Sequence, residues 1–386
     1  MMIVRAKRLP STFYLTFLIP SSSPPSRPIA TITHQKSFAR RVSQQRFRNM
    51  SQSTKIEYQK DGHFTRPAST FRSFISADPN SQFPAEKGRY ALYISPGCPW
   101  AHRTIIVRAL KHLEDVIDLY ILGSFMGEKG WFFDGSHGSL PKDPLYGFTY
   151  LRELYFKANP DFSGRFTVPV LWDKKAGTVV NNESSEIIRM LHSEFDAFIP
   201  EQFREVNKPG GGLYPEHLRK DIDELNEWVY DTVNNGVYKC GLATKQESYD
   251  ENVYPLFKSL DRLESILATH GKPFLFGDHI TEADVRLYTT IARFDVAYYP
   301  VFLCNLKSIR HDYPHLHLWF RRLYWDEGNT ITDGAFHSTT APWIGLYASG
   351  YSTARNKITN SQTAVIVPRG PAVIVEPLAE SEKLKI

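Results

Sequence analysis

The sequence predicts an α/β domain followed by an all-α domain, on three observations. Between residues 90 and 193, short apolar runs alternate with amphipathic stretches. After the glycine-rich segment Lys208-Pro-Gly-Gly-Gly-Leu213, every periodic stretch is helical. The chain has 386 residues, 42% hydrophobic and 23% charged, which is enough for one or two globular cores. The expected divisions are an arm at 1–56, an α/β domain with its lead-in at 57–207, a helical domain at 208–355 and an extended tail at 356–386.

Residues 57–90 are polar and turn-rich, with Pro67, Pro79, Pro84 and Gly88, and read as an extended lead-in. Tyr90–Ser95 is an apolar run bounded by Gly88 and Pro96-Gly97, the pattern of a buried strand. Pro99 suits a first helical position, and Ile105, Ile106, Ala109, Leu110 and Leu113 keep helical spacing behind it. A second strand follows at Ile117–Leu122, and a helix at Thr149–Ala158. Val168–Trp172 and Thr178–Val180 read as a hairpin, and Ser184–Ser193 as a further helix. The hairpin end implies a mixed sheet. Past the triple glycine, a hinge or joint, Leu218, Ile222, Leu225 and Val229 mark one amphipathic face. Leu256, Leu260, Leu263 and Leu267 mark another, stopped by Gly271. Val285–Phe294 and Leu316–Tyr324 supply two more helices. Ile280-Thr-Glu-Ala-Asp284 is a capping box variant and a folding element. Beyond residue 355 the composition is that of an extended strap or disorder.

Composition excludes several classes. No stretch approaches the roughly 18 apolar residues of a membrane span. The three cysteines form no Cys-x-x-Cys, which excludes a zinc ribbon or dithiol centre and fits a reducing compartment. His315 and His317 point to different helix faces, and no metal-ligand spacing occurs, so no metal is expected. The net charge of +5 is uneven: residues 1–49 hold nine bases and no acid, leaving 37 bases against 41 acids, a net −4, in the remainder. The basic balance is therefore no argument for nucleic acid.

Ser95-Pro-Gly-Cys-Pro-Trp-Ala-His-Arg103 carries the chemistry. A cysteine between a strand end and a helix start faces unpaired amides and the positive end of the helix dipole. Those lower a thiol pKa and make Cys98 a nucleophile; Arg103, and His102 when protonated, add positive potential. With Ala101 in place of a second cysteine, a disulfide at Cys98 needs an outside thiol to resolve it. A buried inert cysteine is the alternative, but Pro-Gly-Cys-Pro is poor core material. Val168-Pro169 opens a strand, and in thioredoxin-like folds such a proline is cis, with the preceding backbone turned toward an extended ligand; an edge-strand proline is the alternative. Asn181-Asn-Glu-Ser-Ser-Glu186 brings Glu183 and Ser184 to another helix start, fit for the ammonium and α-carboxylate of a small ligand; a plain N-cap is the alternative. Cys240 and Cys304 read as packing residues.

Together these pieces resemble the glutathione transferase superfamily, with a thioredoxin-like N-terminal domain and an all-α C-terminal domain. Cys-Pro-Trp-Ala-His-Arg, Gly-Trp-Phe-Phe at 130–133, Gly-Arg-Phe-Thr-Val-Pro-Val-Leu-Trp-Asp at 164–173 and Asn-Asn-Glu-Ser-Ser-Glu-Ile-Ile-Arg-Met at 181–190 are similar to the xi class, the glutathionyl-hydroquinone reductases. Asn-Asn-Gly-Val-Tyr-Lys at 234–239 and Arg-Phe-Asp-Val-Ala-Tyr at 293–298 extend the resemblance. It implies Cys98 as nucleophile, Trp131, Arg165, Val168, Glu183 and Ser184 around glutathione, and Tyr238 and Tyr298 lining a hydroquinone pocket. The segment that holds the third tyrosine departs from the family pattern, which bears on substrate range; Tyr351 is preferred over Tyr347. The resemblance also implies glutathione as co-substrate, glutathionyl-hydroquinones as substrates and a homodimer. An omega-like thiol transferase or dehydroascorbate reductase shares Cys98 but needs no hydroquinone pocket. A non-catalytic binding module of the same fold is the other alternative.

The arm contains no acid before Glu57 and is rich in Ser, Pro and Arg, the composition of an organellar transit segment. Mitochondrial targeting is expected, with a cytoplasmic form if translation starts at Met50. The short apolar run Phe13–Ile19 makes a secretory signal the competing reading.

Overall fold

The computed structural model describes residues 61–326, 331–358 and 365–384. The acid-free arm and Met50 lie outside the described residues.

Strands β1 (Tyr90–Ile94), β2 (Asp118–Ile121), β3 (Val170–Asp173) and β4 (Thr178–Asn181) form one mixed sheet in the order β2-β1-β3-β4. β1 runs parallel to β2 and antiparallel to β3, and β4 returns antiparallel beside β3. All of β1 is buried, which explains its unbroken apolar run: a strand covered on both faces needs no alternation. The parallel pair requires a crossover, supplied by helix α1 (Pro99–Leu110), which packs on helix α3 (Ser184–Ser193). Helix α2 (Leu151–Ala158) starts two residues later than its apolar pattern suggests. The Glu153 carboxylate accepts the amides of Thr149 (3.0 Å) and Tyr150 (2.8 Å) and holds both outside the first turn. The strand expected from Val168 likewise begins at Val170, after a cis Val168–Pro169 peptide, because proline has no N–H for the ladder. The lead-in runs along the β4 edge, with the Ser73 amide on the Val180 carbonyl at 3.1 Å.

The helical half comprises α4 (Arg219–Val229), α5 (Gly236–Gly241), α6 (Gln246–His270), α7 (Glu282–Arg293), α8 (Pro314–Tyr324) and α9 (Tyr347–Ile358), joined by shorter turns. Ile222, Leu225 and Val229 of α4 are buried, as are Leu256, Leu260, Leu263 and Leu267 of α6. Gly271 ends α6 in the left-handed conformation that glycine adopts without steric cost. Wide π-type turns follow α4 at Tyr230–Asn234 and α7 at Phe294–Tyr298. In the first turn of α7, Asp284 accepts the Thr281 amide at 2.9 Å, completing the expected cap. It also accepts the Leu275 amide (3.0 Å) and Trp319 Nε1 (2.9 Å), so one carboxylate pins a loop and a neighbouring helix as well.

The triple-glycine joint is clamped rather than loose. Gly210, Gly211 and Gly212 all have positive φ, and a Cβ on Gly212 would run into the Glu205 carboxylate. That carboxylate accepts the Leu213 amide at 2.5 Å and also faces Lys111, which is fully buried and lies 2.9 Å from Asp196. Nearby, buried Glu282 pairs with Arg189 of α3 (2.9 Å) and Arg286 (3.1 Å), while its amide donates to the Leu213 carbonyl at 2.7 Å. In the tail, Arg310 donates to the Val373 (2.7 Å) and Ile374 (2.8 Å) carbonyls, and Trp325 Nε1 to the Glu376 carbonyl at 2.9 Å. The described part of the tail is thus a strap held against the helical half.

Candidate active site

Cys98 is the N-cap of α1, half-buried, with its Sγ donating to the Val168 carbonyl at 3.4 Å. The loop that carries it is held on several sides. Ser95 Oγ donates to the Gly123 carbonyl at 2.8 Å, and Arg293 of α7 donates to the Pro96 carbonyl at 2.8 Å. Gly97 is needed for close approach: a Cβ there would come within 2.5 Å of the Ser124 carbonyl oxygen.

The expectation of a lowered Cys98 pKa is corrected by its surroundings. Burial pushes the thiol up, and this outweighs the Ala101 and Trp100 amides and the charges of Arg66 and Arg293, which all pull it down. The helix-start amides act as expected, but the site around them withholds water from a thiolate. His102 adds no charge either. It is buried between Arg293 (3.1 Å) and Thr340 (3.2 Å), and burial together with Arg293 holds its pKa well below the ordinary value. Because Arg293 can only donate, His102 Nδ1 accepts and Nε2 carries the proton to Thr340 Oγ1. Arg103 is buried and engaged by Asn234 Oδ1 at 2.8 Å in the helical half.

At the second helix start, Glu183 rather than Ser184 is the N-cap. Its Oε1 accepts the Ser185 amide at 3.2 Å and its Oε2 accepts Ser69 Oγ at 3.0 Å. Ser184 Oγ is buried with no hydrogen-bond partner. An orphaned buried hydroxyl at a helix start is a donor waiting for an acceptor, which fits a ligand carboxylate. Val168 is tied to the same region through Tyr155, whose hydroxyl donates to the Thr167 carbonyl at 2.8 Å and accepts Asn182 Nδ2 at 3.1 Å. Arg165 is half-buried in the loop just before Val168. Trp131, also half-buried, sits in the β2–α2 loop, where its carbonyl accepts the Leu151 amide at 3.0 Å. The carbonyl of the next residue, Phe132, accepts the Gly123 amide at 2.8 Å within the same loop, and the Gly123 carbonyl in turn accepts Ser95 Oγ from the Cys98 loop.

The three expected tyrosines converge from separate helical segments. Tyr351 OH lies 2.8 Å from Tyr238 OH and 2.9 Å from Tyr298 OH, and donates toward the Gly97 carbonyl at 3.4 Å. Burial raises all three phenol pKa values, and the Cys98 charge adds to the rise at Tyr238, so all three remain protonated donors at neutral pH. Phe302 packs against each ring at centroid distances of 5.2–5.6 Å. Tyr347 instead lies against the Arg293 guanidinium, 3.9 Å from ring centroid to Cζ.

Sequence reasoning missed Arg66 and Ser69, and quoted Asn235 and Arg293 within family motifs without assigning either a role. Arg66 and Ser69 belong to the aperiodic lead-in and carry no local signal. Among the described residues, no group of His, Cys, Asp or Glu could hold a metal ion, and no helix is long and apolar enough to cross a membrane.

Family models of the glutathione S-transferase N-terminal and C-terminal domains match residues 97–194 and 246–322. "Glutathione S-transferase omega-like 2" of Schizosaccharomyces pombe is 50% identical over 321 residues, covering 82% of this chain and 96% of that protein. "Glutathionyl-hydroquinone reductase YqjG" of Escherichia coli is 49% identical over 269 residues, covering 68% of this chain and 79% of its own length. Among solved structures, the Xi glutathione transferase ECM4 of Saccharomyces cerevisiae in complex with glutathione superposes with a TM-score of 0.74 at 38% identity, covering 83% of this chain and all of that one.

Proposed function

The chain belongs to the glutathione S-transferase family, in its xi class, and from that premise we propose that it is a glutathionyl-hydroquinone reductase with Cys98 as nucleophile. The observation that carries this reading is the convergence of Tyr238, Tyr298 and Tyr351 beside the Cys98 loop. Thiol transfer on mixed disulfides or dehydroascorbate reduction needs a reactive cysteine but no cluster of buried phenols.

Ser184 Oγ and the α3 amides suit a glutathione carboxylate, and Glu183 suits its ammonium group. Arg165, Trp131 and the Val168 backbone complete the binding set that family resemblance implies. The Cys98 thiolate attacks the thioether sulfur of the conjugate. The sulfur–sulfur bond forms as the carbon–sulfur bond breaks, and the ring carbon takes a proton. The buried tyrosine hydroxyls hold the quinol oxygens and supply that proton through their shared network. Cys98 is left in a mixed disulfide with glutathione. A second glutathione, as thiolate, attacks that disulfide and releases glutathione disulfide and the Cys98 thiolate. Each turnover thus joins one glutathionyl group from the substrate to one from free glutathione.

We further propose a homodimer, mitochondrial targeting by the acid-free arm, and a cytoplasmic form begun at Met50. The decisive experiment is turnover of glutathionyl-menadiol, the hydroquinone form of the conjugate, beside dehydroascorbate. Release of menadiol with one glutathione disulfide per turnover is expected, and a preference for dehydroascorbate would replace this reading with the thiol transferase.

A further inference from the structure

The lead-in reaches both sides of the sulfur site. Ser69 Oγ donates to Glu183 Oε2 at 3.0 Å, and three residues earlier Arg66 enters beside α1. The Arg66 guanidinium lies 3.6 Å from the centroid of the Trp100 ring, two residues after Cys98, and 5.2 Å from that of Tyr238. Its Nε donates to Asn235 Oδ1 at 3.0 Å, so the N-cap residue of α5 fixes the fork over the indole. Phe64 closes another side, with its ring centroid 5.6 Å from Arg66 Cζ and 6.4 Å from the Tyr238 ring. A half-buried cation, stacked on one aromatic ring and anchored by one amide oxygen, is held in a single orientation where solvent screens it little.

We propose that Arg66 is a positioning residue for the reaction: from the lead-in, it supplies the counter-charge for the Cys98 thiolate and holds Trp100 against the Tyr238 ring. This rests on Cys98 being the nucleophile. The groups facing Cys98 divide clearly. Arg293 of α7 also favours the anion, but its guanidinium is committed to the Pro96 and Thr289 carbonyls and to His102. His102 is neutral, and Tyr238 is a protonated phenol that opposes a charge of its own. Arg66 is the charge that reaches Cys98 from outside the two folded halves, so the lead-in is part of the active site.

The test is the rate of alkylation of Cys98 by iodoacetamide against pH, followed by mass spectrometry on the full chain. The reagent is uncharged, so Arg66 cannot act by attracting it, and no turnover is involved. Arg66→Met should move the alkylation midpoint up by about one unit, slowing labelling at pH 7 about tenfold, while Arg66→Lys should keep most of the wild-type rate. Asn235→Asp leaves Arg66 in place but sets a carboxylate against it, and should slow labelling about threefold. This variant carries the test should Arg66→Met fail to fold. A wild-type profile in Arg66→Met, or in Asn235→Asp, overturns the proposal, as does Arg66→Lys behaving like Arg66→Met. The nucleophile reading fails separately, by reductase activity surviving in Cys98→Ser.

Discussion

Cys98, Val168, Glu183 and Ser184 all sit where strands of one sheet give way to helices or loops, whereas Tyr238, Tyr298 and Tyr351 come from different helical segments, the first and last 113 positions apart. The two sides also treat their polar groups differently. On the sulfur side, backbone and short side chains offer bonds to a ligand, and Ser184 Oγ has no partner at all. On the tyrosine side the hydroxyls satisfy one another within 2.9 Å. Under the proposed function, glutathione gains hydrogen bonds at Ser184 and the α3 start, while a hydroquinone exchanges its own for those among the phenols. That reading gives one side to affinity and the other to placing protons.

Four measurements can break or sharpen that division. Cys98→Ser should lower thioether reduction by more than about 1,000-fold while glutathione binding persists, since removing a nucleophile leaves only binding and positioning. Substantial reductase activity in that variant would move the chemistry to another group. Tyr351→Phe removes the hydroxyl shared by the other two and should lower kcat about 100-fold. The alkylation rate of Cys98 should stay within about twofold, and a large change there would mean the two sides are one unit. Ser184→Ala should raise the Kd for glutathione about fivefold, the loss of one hydrogen bond of ~1 kcal/mol, with kcat at saturation unchanged. A lowered kcat with unchanged Kd would put Ser184 on the chemical side instead. The subtlest effect is the pH dependence of the ligand-free protein. Burial favours the neutral Cys98 thiol, so the thiolate fraction at neutral pH is smaller than for a free thiol and grows as pH rises. The alkylation midpoint should lie above the ~8.5 of a free cysteine, and a midpoint below it would show that the helix amides and the two arginines outweigh burial.

How far each side was legible follows from its construction. Cys98, Val168, Glu183 and Ser184 stand beside local signals, a proline at a helix start or a strand entrance or a polar capping run, and could be picked from windows of a few residues. The tyrosines could not. Periodicity places residues on helices but does not say which helices meet, and Tyr238, Tyr298 and Tyr351 were singled out by family resemblance. The error at Cys98 has the same root: the motif reveals the amides that stabilise a thiolate, but not the burial contributed by segments far along the chain. The pairing of Arg66 with Asn235, 169 positions apart, was invisible for that reason. The triple glycine read as a hinge or joint, and its clamp was not legible: the buried Lys111 and the Glu205 carboxylate that tighten it carry no pattern that points to each other.

The ties described at that joint have a consequence for how the molecule comes apart. Glu282 is sealed from solvent and bonded across the boundary between sheet and helices to Arg189 of α3, and each would be stranded without its partner if the halves separated. Heat or denaturant should therefore melt both halves in one calorimetric transition, with no partly folded species that keeps a competent thiol. A fragment ending before residue 208 would lose Arg293's hold on the Pro96 carbonyl as well, so this α/β half is not a separable module that could be excised and kept at work.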